Sequence, residues 1–296
     1  MIHNDVLERL ERNKRRREEG KTIAIPWNLP RLSNVLPGIV QGRYTIVTAN
    51  AKVGKTQLAD FLYVYQPLEW LINNPNDGID LKIFYFSLEM SKENKMIAAI
   101  SYKLHRDYGI IISPEKLNSY YAGYVLDDET LKVIKSPKFQ QWLEFIESKV
   151  EFHDTIRHPF GIFNYMKTYA ESHGHYSKKK INWTEENGDV TEKIVNDKYI
   201  PNNPDEYIIV LVDHASLLYI SEGSTLHKEM GDFSNKYCLH MRDKWNYIPV
   251  VVQQQSAASE QQQFTNKGDT IIERLKPSPD YLGDNLNNWE IFIVFV

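Results

Sequence analysis

The chain has 296 residues, 42% hydrophobic and 25% charged, which is enough for one large globular domain or two ordinary ones. No apolar run reaches the length of about 18 residues that predicts a membrane-spanning helix. A net charge of −4 excludes a uniformly basic nucleic-acid coat, so any contact with DNA or RNA needs positive charge gathered locally. The single cysteine, Cys238, can form no internal disulfide and fits a reducing, cytoplasmic setting.

The first predicted element is a charged helix over residues 2–19. Ile2, Val6 and Leu10 recur at i, i+4 and i+8, giving one narrow apolar stripe. The basic run Lys14 to Arg17 is interleaved with Glu11, Glu18 and Glu19, so helical ion pairs are expected. Such a segment reads either as a solvated helix or as a docking helix whose stripe needs another surface. It defines residues 1–26, ending at Pro26, as a linker segment ahead of a domain over 27–296.

From there the chain alternates strands and helices. The predicted strands are "RYTIVTA" (43–49), "KIFYFSLE" (82–89), "VEFHD" (150–154), "YIIVLVD" (207–213), "IPVVVQQ" (248–254) and "EIFIVFV" (290–296). Helix-length stretches over 55–73, 91–108, 127–148, 159–173 and 226–245 lie between them. Continuous apolar strands separated by helices predict an α/β fold with a mainly parallel, twisted sheet covered on both faces. The polar stretch 175–206 breaks this rhythm. Its "ENGD" is a turn signal between "KKINWT" and "VTEKIV", which predicts a β-hairpin insertion. The run Lys178-Lys179-Lys180 reads first as a solvated edge and second as a nucleic-acid contact.

The motif richest in chemistry is "ANAKVGKT", residues 49–56, directly between a predicted strand and an amphipathic helix. It follows GxxxxGK[ST] except at its first position. Phosphate binding needs successive backbone N–H groups turned to one point, with a helix N-terminus behind them. Ala49, Asn50, Ala51, Lys52, Val53, Gly54, Lys55, Thr56 and Gln57 are therefore the predicted nucleotide cradle. Lys55 reaches the β/γ oxygens and Thr56 places its hydroxyl on Mg²⁺. Were a positive φ required at the first position, Ala49 would cost about 1–2 kcal/mol relative to glycine.

In a parallel sheet, ligands sit beyond the carboxyl ends of the strands. Asp213 ends one apolar strand, placed as a Mg²⁺-organising carboxylate or as a helix cap. Glu89 follows "FYFSL" and can polarise an attacking water or simply begin the next helix. Gln253, Gln254 and Gln255 end a third strand, where alternation lets only some of them face the site. The histidines at 153, 158, 173 and 175 match no tetrahedral or paired helical metal pattern. Cys238 sits in an amphipathic helix and reads as a packing residue.

Taken together, "LPRLSNVLPGIVQGRYTIVTANAKVGKT", "IFYFSLEMSKE", "IIVLVDHASLL" and "IPVVVQQQSAASE" resemble the RecA-like motor domain of DnaB-type replicative helicases. The pieces stand in family order over 27–296. The resemblance implies ATP and Mg²⁺ as ligands, Lys55 and Glu89 as catalytic groups, and Gln255 as the γ-phosphate sensor. It implies Thr56 and Asp213 at the metal. It further implies a homo-oligomeric, hexameric ring around single-stranded DNA, with a primase or helicase loader as further partner. Loops over 220–229 and 256–269, with Lys228 and Lys267, would then face the DNA. The family's N-terminal domain is missing, Lys276 stands where relatives carry an arginine, with Arg274 out of register, and "IFIVFV" stops short of the arginine finger. The expectation is thus a phage-type member, truncated or divergent at its C-terminus, acting in a bacterium or an infected host cell. A recombinase or clock-type ATPase, and a non-hydrolysing nucleotide-binding adaptor, stay open as alternatives.

Overall fold

Six strands pair side by side with all their registers parallel: β1 (Thr45–Ala49), β2 (Asp80–Ser87), β3 (Val150–His153), β6 (Glu206–Asp213), β7 (Ile248–Gln254) and β8 (Ile291–Ile293). Two more, β4 (Gly174–Thr184) and β5 (Val190–Pro201), form a separate antiparallel hairpin. The structure is a computed structural model that describes residues 2–34, 36–49, 54–185, 190–254 and 291–293. The sheet order is β3-β2-β6-β7-β1-β8.

The strands read as apolar runs because both of their faces are covered. Alternate side chains of β1 divide between two cores: Val47 goes to one and Ile46 to the other. On the first face Val47, Ile83, Tyr85, Ile209 and Leu211 pack with Leu62, Leu68, Leu104 and Ile146 from the helices. On the second, Phe84, Phe86, Val210 and Val212 meet Ile162, Met166, Phe233 and Met241. The buried Cys238 belongs to this second core, and burial pushes its thiol pKa well up, as expected of a packing cysteine.

Two helices depart from the simple expectation. The predicted helix over 127–148 is two, Asp128–Ile134 and Pro137–Lys149. Proline disfavours helical geometry in the residue before it, and Ser136 is extended, with ψ 147°. The long helix after β1 runs as Lys55–Asp60, a π-helical turn Phe61–Tyr65, and Gln66–Asn73. The wide turn stands immediately before Pro67, which has no N–H to donate to an ordinary helical ladder.

The helix Ile2–Glu18 lies at the amino-terminal edge of the sheet. Arg16 fastens its last turn, with Nη2 3.0 Å from Asp77 and Nη1 2.9 Å from Asp205, residues that precede β2 and β6. Val6, Leu7 and Leu10 stay exposed. The hairpin leaves from the same edge, between the helix Pro159–Ser172 and β6. Its foot is fixed where Trp245 Nε1 donates to the Tyr176 hydroxyl (2.7 Å) and the Tyr199 hydroxyl donates to the Ala170 carbonyl (3.0 Å). Its predicted turn at 186–189 lies outside the described residues. Among the described residues no helix is long and apolar enough to cross a membrane.

Candidate nucleotide-binding site

β1 delivers the chain to the carboxyl edge of the sheet, between β7 and β8. Ala49 is its last residue, buried and paired with Gln254 in an extended conformation. The first motif position therefore needs no glycine, and alanine carries no conformational cost there. Asn50, Ala51, Lys52 and Val53 lie outside the described residues. The loop ends at Gly54, whose φ of 88° is left-handed and which precedes the first helical residue, Lys55. A side chain is strained at that φ, which accounts for the second glycine of the motif. Lys55 is buried at the helix start, Thr56 is half-buried, and Gln57 is exposed.

Thr56 and Asp213 come together across 157 positions of sequence. The Thr56 hydroxyl donates to Asp213 Oδ1 at 3.2 Å, and Asp213 is 1% exposed. A hydroxyl and a carboxylate oxygen side by side are the hard donors that Mg²⁺ takes when it keeps several waters and shares phosphate oxygens. Among the described residues no group of three or more His, Cys, Asp or Glu could hold a metal by itself. The donor set thus fits a cation that arrives with phosphates better than one caged by protein alone.

Behind Asp213 stands a polar cluster that the sequence did not announce. Lys95, on the helix Lys92–Tyr108, is 2% exposed, and its Nζ lies 3.3 Å from Asp213 Oδ2 and 3.3 Å from both Asp60 oxygens. It also donates to the Tyr85 hydroxyl, which in turn donates to Asp60 Oδ1 at 2.6 Å and lies 3.2 Å from Asp213 Oδ2. Burial lifts the Asp60 carboxyl pKa above its ordinary value, against the opposing pull of Lys95 and the Tyr85 hydrogen bond. Burial, reinforced by the two carboxylates, raises the Tyr85 hydroxyl pKa far up, so it stays a donor.

Glu89 stands just beyond the end of β2. Ser87 is in register with Asp213, and the Leu88 N–H donates to the Asp213 carbonyl at 2.7 Å, so this turn is fixed to the end of β6. The Glu89 side chain is more than half exposed, with Oε2 3.8 Å from His214 Nε2. Of the glutamines, Gln253 donates to the Ser216 hydroxyl at 3.3 Å and Gln254 is half-buried; Gln255 lies outside the described residues. So do 256–269, Arg274 and Lys276. The loop after Asp213 is tied back where His158 Nε2 meets the Ser221 hydroxyl (3.2 Å) and the Ser221 N–H donates to Glu229 (3.3 Å). Tyr219 and Ile220 are left exposed at its tip.

A parallel sheet with helices on both faces and these residues gathered at its carboxyl edge has the fold of RecA-like helicase ATPase domains. Among solved structures the chain is similar to the ATPase domain of a phage helicase, with a TM-score of 0.57 at 15% identity over 89% of this chain and 74% of that one. It is also similar to a DnaB-like replicative helicase described with its interactions with primase, with a TM-score of 0.56 at 16% identity over 88% of this chain. The match spans half the length of that second protein. At such identity the likeness is one of fold. No protein-family model and no curated protein matches the chain.

Proposed function

We propose that the chain is the ATP-dependent motor of a replicative DNA helicase, coupling ATP hydrolysis to movement on single-stranded DNA and duplex unwinding. The observation that carries this reading is the Thr56–Asp213 hydrogen bond, which joins the start of the phosphate-loop helix to the end of β6. In this reading the loop amides and Lys55 hold the β and γ phosphates. Thr56 and Asp213 would hold Mg²⁺, which when bound draws charge from the phosphate oxygens. Glu89, exposed at the neighbouring strand end, orients and deprotonates the attacking water. Gln255 senses the γ-phosphate, and the loop around Tyr219 and Ile220, with 256–269, meets the DNA.

The fold of the solved helicase domains supports a hexameric ring, with a primase or loader as partner and a bacterial or phage-infected cytoplasm as setting. The helix Ile2–Glu18, with Val6, Leu7 and Leu10 exposed, is the element that docks on a neighbouring subunit. Calorimetry on Lys55→Ala tests the core of the reading. ATP binding should weaken at least tenfold, and unchanged binding would overturn it.

A further inference from the structure

Lys95 is a buried cation whose surroundings leave it few roles. Apart from Asp60, Tyr85 and Asp213, it is lined by Val64, Ala99, Ile146 and Phe152, so its charge has no route to water. Asp60 lies one turn after Thr56 on the same helix, which turns both side chains toward β2 and β6. The two oxygens of Asp213 are then divided by neighbour. Oδ2 takes the Lys95 ammonium and the Tyr85 hydroxyl, while Oδ1 takes the Thr56 hydroxyl at the mouth of the phosphate loop. The ammonium is itself held over the Tyr85 ring, 4.3 Å from its centroid, and by both oxygens of Asp60. A carboxylate clamped through one oxygen cannot rotate, so the other oxygen has one direction to face.

We infer that Lys95, with Asp60 as its counter-charge, is a positioning residue for Asp213: it fixes Oδ2 so that Oδ1 and the Thr56 hydroxyl together face the cation carried by a bound nucleotide. The inference rests on the nucleotide reading above and adds to it a residue from a third element. Because Lys95 lies on the helix that follows the Glu89 turn, the same ammonium ties that helix to the metal-side aspartate. An ion pair built only for packing would leave the metal dependence of nucleotide binding untouched.

The test compares binding of a fluorescent ATP analogue in Mg²⁺ and in EDTA, for wild type and for the double variant Asp60→Leu/Lys95→Met. The double variant removes the ion pair as a neutral unit and leaves no lone buried charge in its place. In EDTA, where Lys55 and the loop carry binding, the two proteins should agree within about twofold. The tightening brought by Mg²⁺ should fall at least fivefold in the variant. Equal tightening in both proteins overturns the positioning role alone, whereas a wild type that binds no analogue under either condition overturns the nucleotide reading beneath it. Should the double variant not fold, Tyr85→Phe serves instead. It deletes one hydroxyl between the two carboxylates and should cut the Mg²⁺-linked tightening at least twofold, with no change counting against the inference.

Discussion

Replacing Arg16 by alanine should release the first helix without loosening the domain. The Arg16 guanidinium makes three short contacts, to the Thr22 carbonyl (Nε, 2.9 Å), Asp77 (Nη2, 3.0 Å) and Asp205 (Nη1, 2.9 Å). Hydrogen bonds to charged groups contribute about 1.5–3 kcal/mol each in favourable sites. Asp205 is 39% exposed, which screens its share, so about 3 kcal/mol for the cluster is reasonable. Isolated helices of this length are marginal in water, and Val6, Leu7 and Leu10 bury too little to hold it independently. By the usual conversion of about 1.4 kcal/mol per factor of ten, amide exchange over residues 2–18 should quicken by roughly 100-fold. Hydrogen-exchange mass spectrometry on the peptides covering that helix reads this directly, with the urea midpoint of the whole domain as control. Unchanged exchange there, or a midpoint that falls in step with it, would refute the view that Arg16 is the anchor of a separable element.

Two further outcomes follow from other parts of the fold. Glu89→Gln should bind ATP within about threefold of wild type yet release phosphate at least 100-fold more slowly, since a positioned base contributes about 10²–10⁴ in rate. Turnover within tenfold of wild type, measured with single-stranded DNA present, would remove Glu89 from the mechanism. His153, stacked on Phe86 at 4.9 Å, has its pKa lowered below 6.5 by burial, against the opposing pull of Glu151. The unfolded chain therefore takes up a proton that the folded one resists, and stability is lost as pH falls through 6.5. The urea midpoint should drop from pH 7.5 to 5.5, and His153→Phe should make that drop smaller; an equal drop in the variant would place its origin elsewhere.

Much of this arrangement could be read from the chain because its strands are apolar on both faces. "YIIVLVD" and "IFYFS" have no polar side to hide, so the layered α/β fold follows almost directly. The groups at the strand ends were legible for the same reason: Asp213 and Glu89 are the first carboxylates after buried runs. The helix break at Ser136-Pro137 was available in the sequence as a proline and was outweighed by the apolar periodicity around it. The π turns at 61–65 and 233–238 leave no local mark, because one extra residue per turn barely shifts a helical pattern. Asp60, Tyr85 and Lys95 escaped notice because each looks ordinary among its neighbours. A usable signal did exist: Lys95 shares a helical face with the buried Ala99, and Asp60 shares one with Thr56. Charges placed on such faces need partners of opposite sign.

The hairpin carries one further implication. A two-stranded ribbon has an unpaired backbone row along each outer margin, and this one also shows Ile194, Val190 and Trp183 to solvent. Without protection, such a ribbon is a template on which other chains can add strands. The triplet Lys178-Lys179-Lys180, with Lys180 held 3.0 Å from Glu192 and Lys193 3.1 Å from Glu185, lines those margins with charge. Those lysines keep copies of the protein from zipping together, a task that asks for no nucleic acid at all.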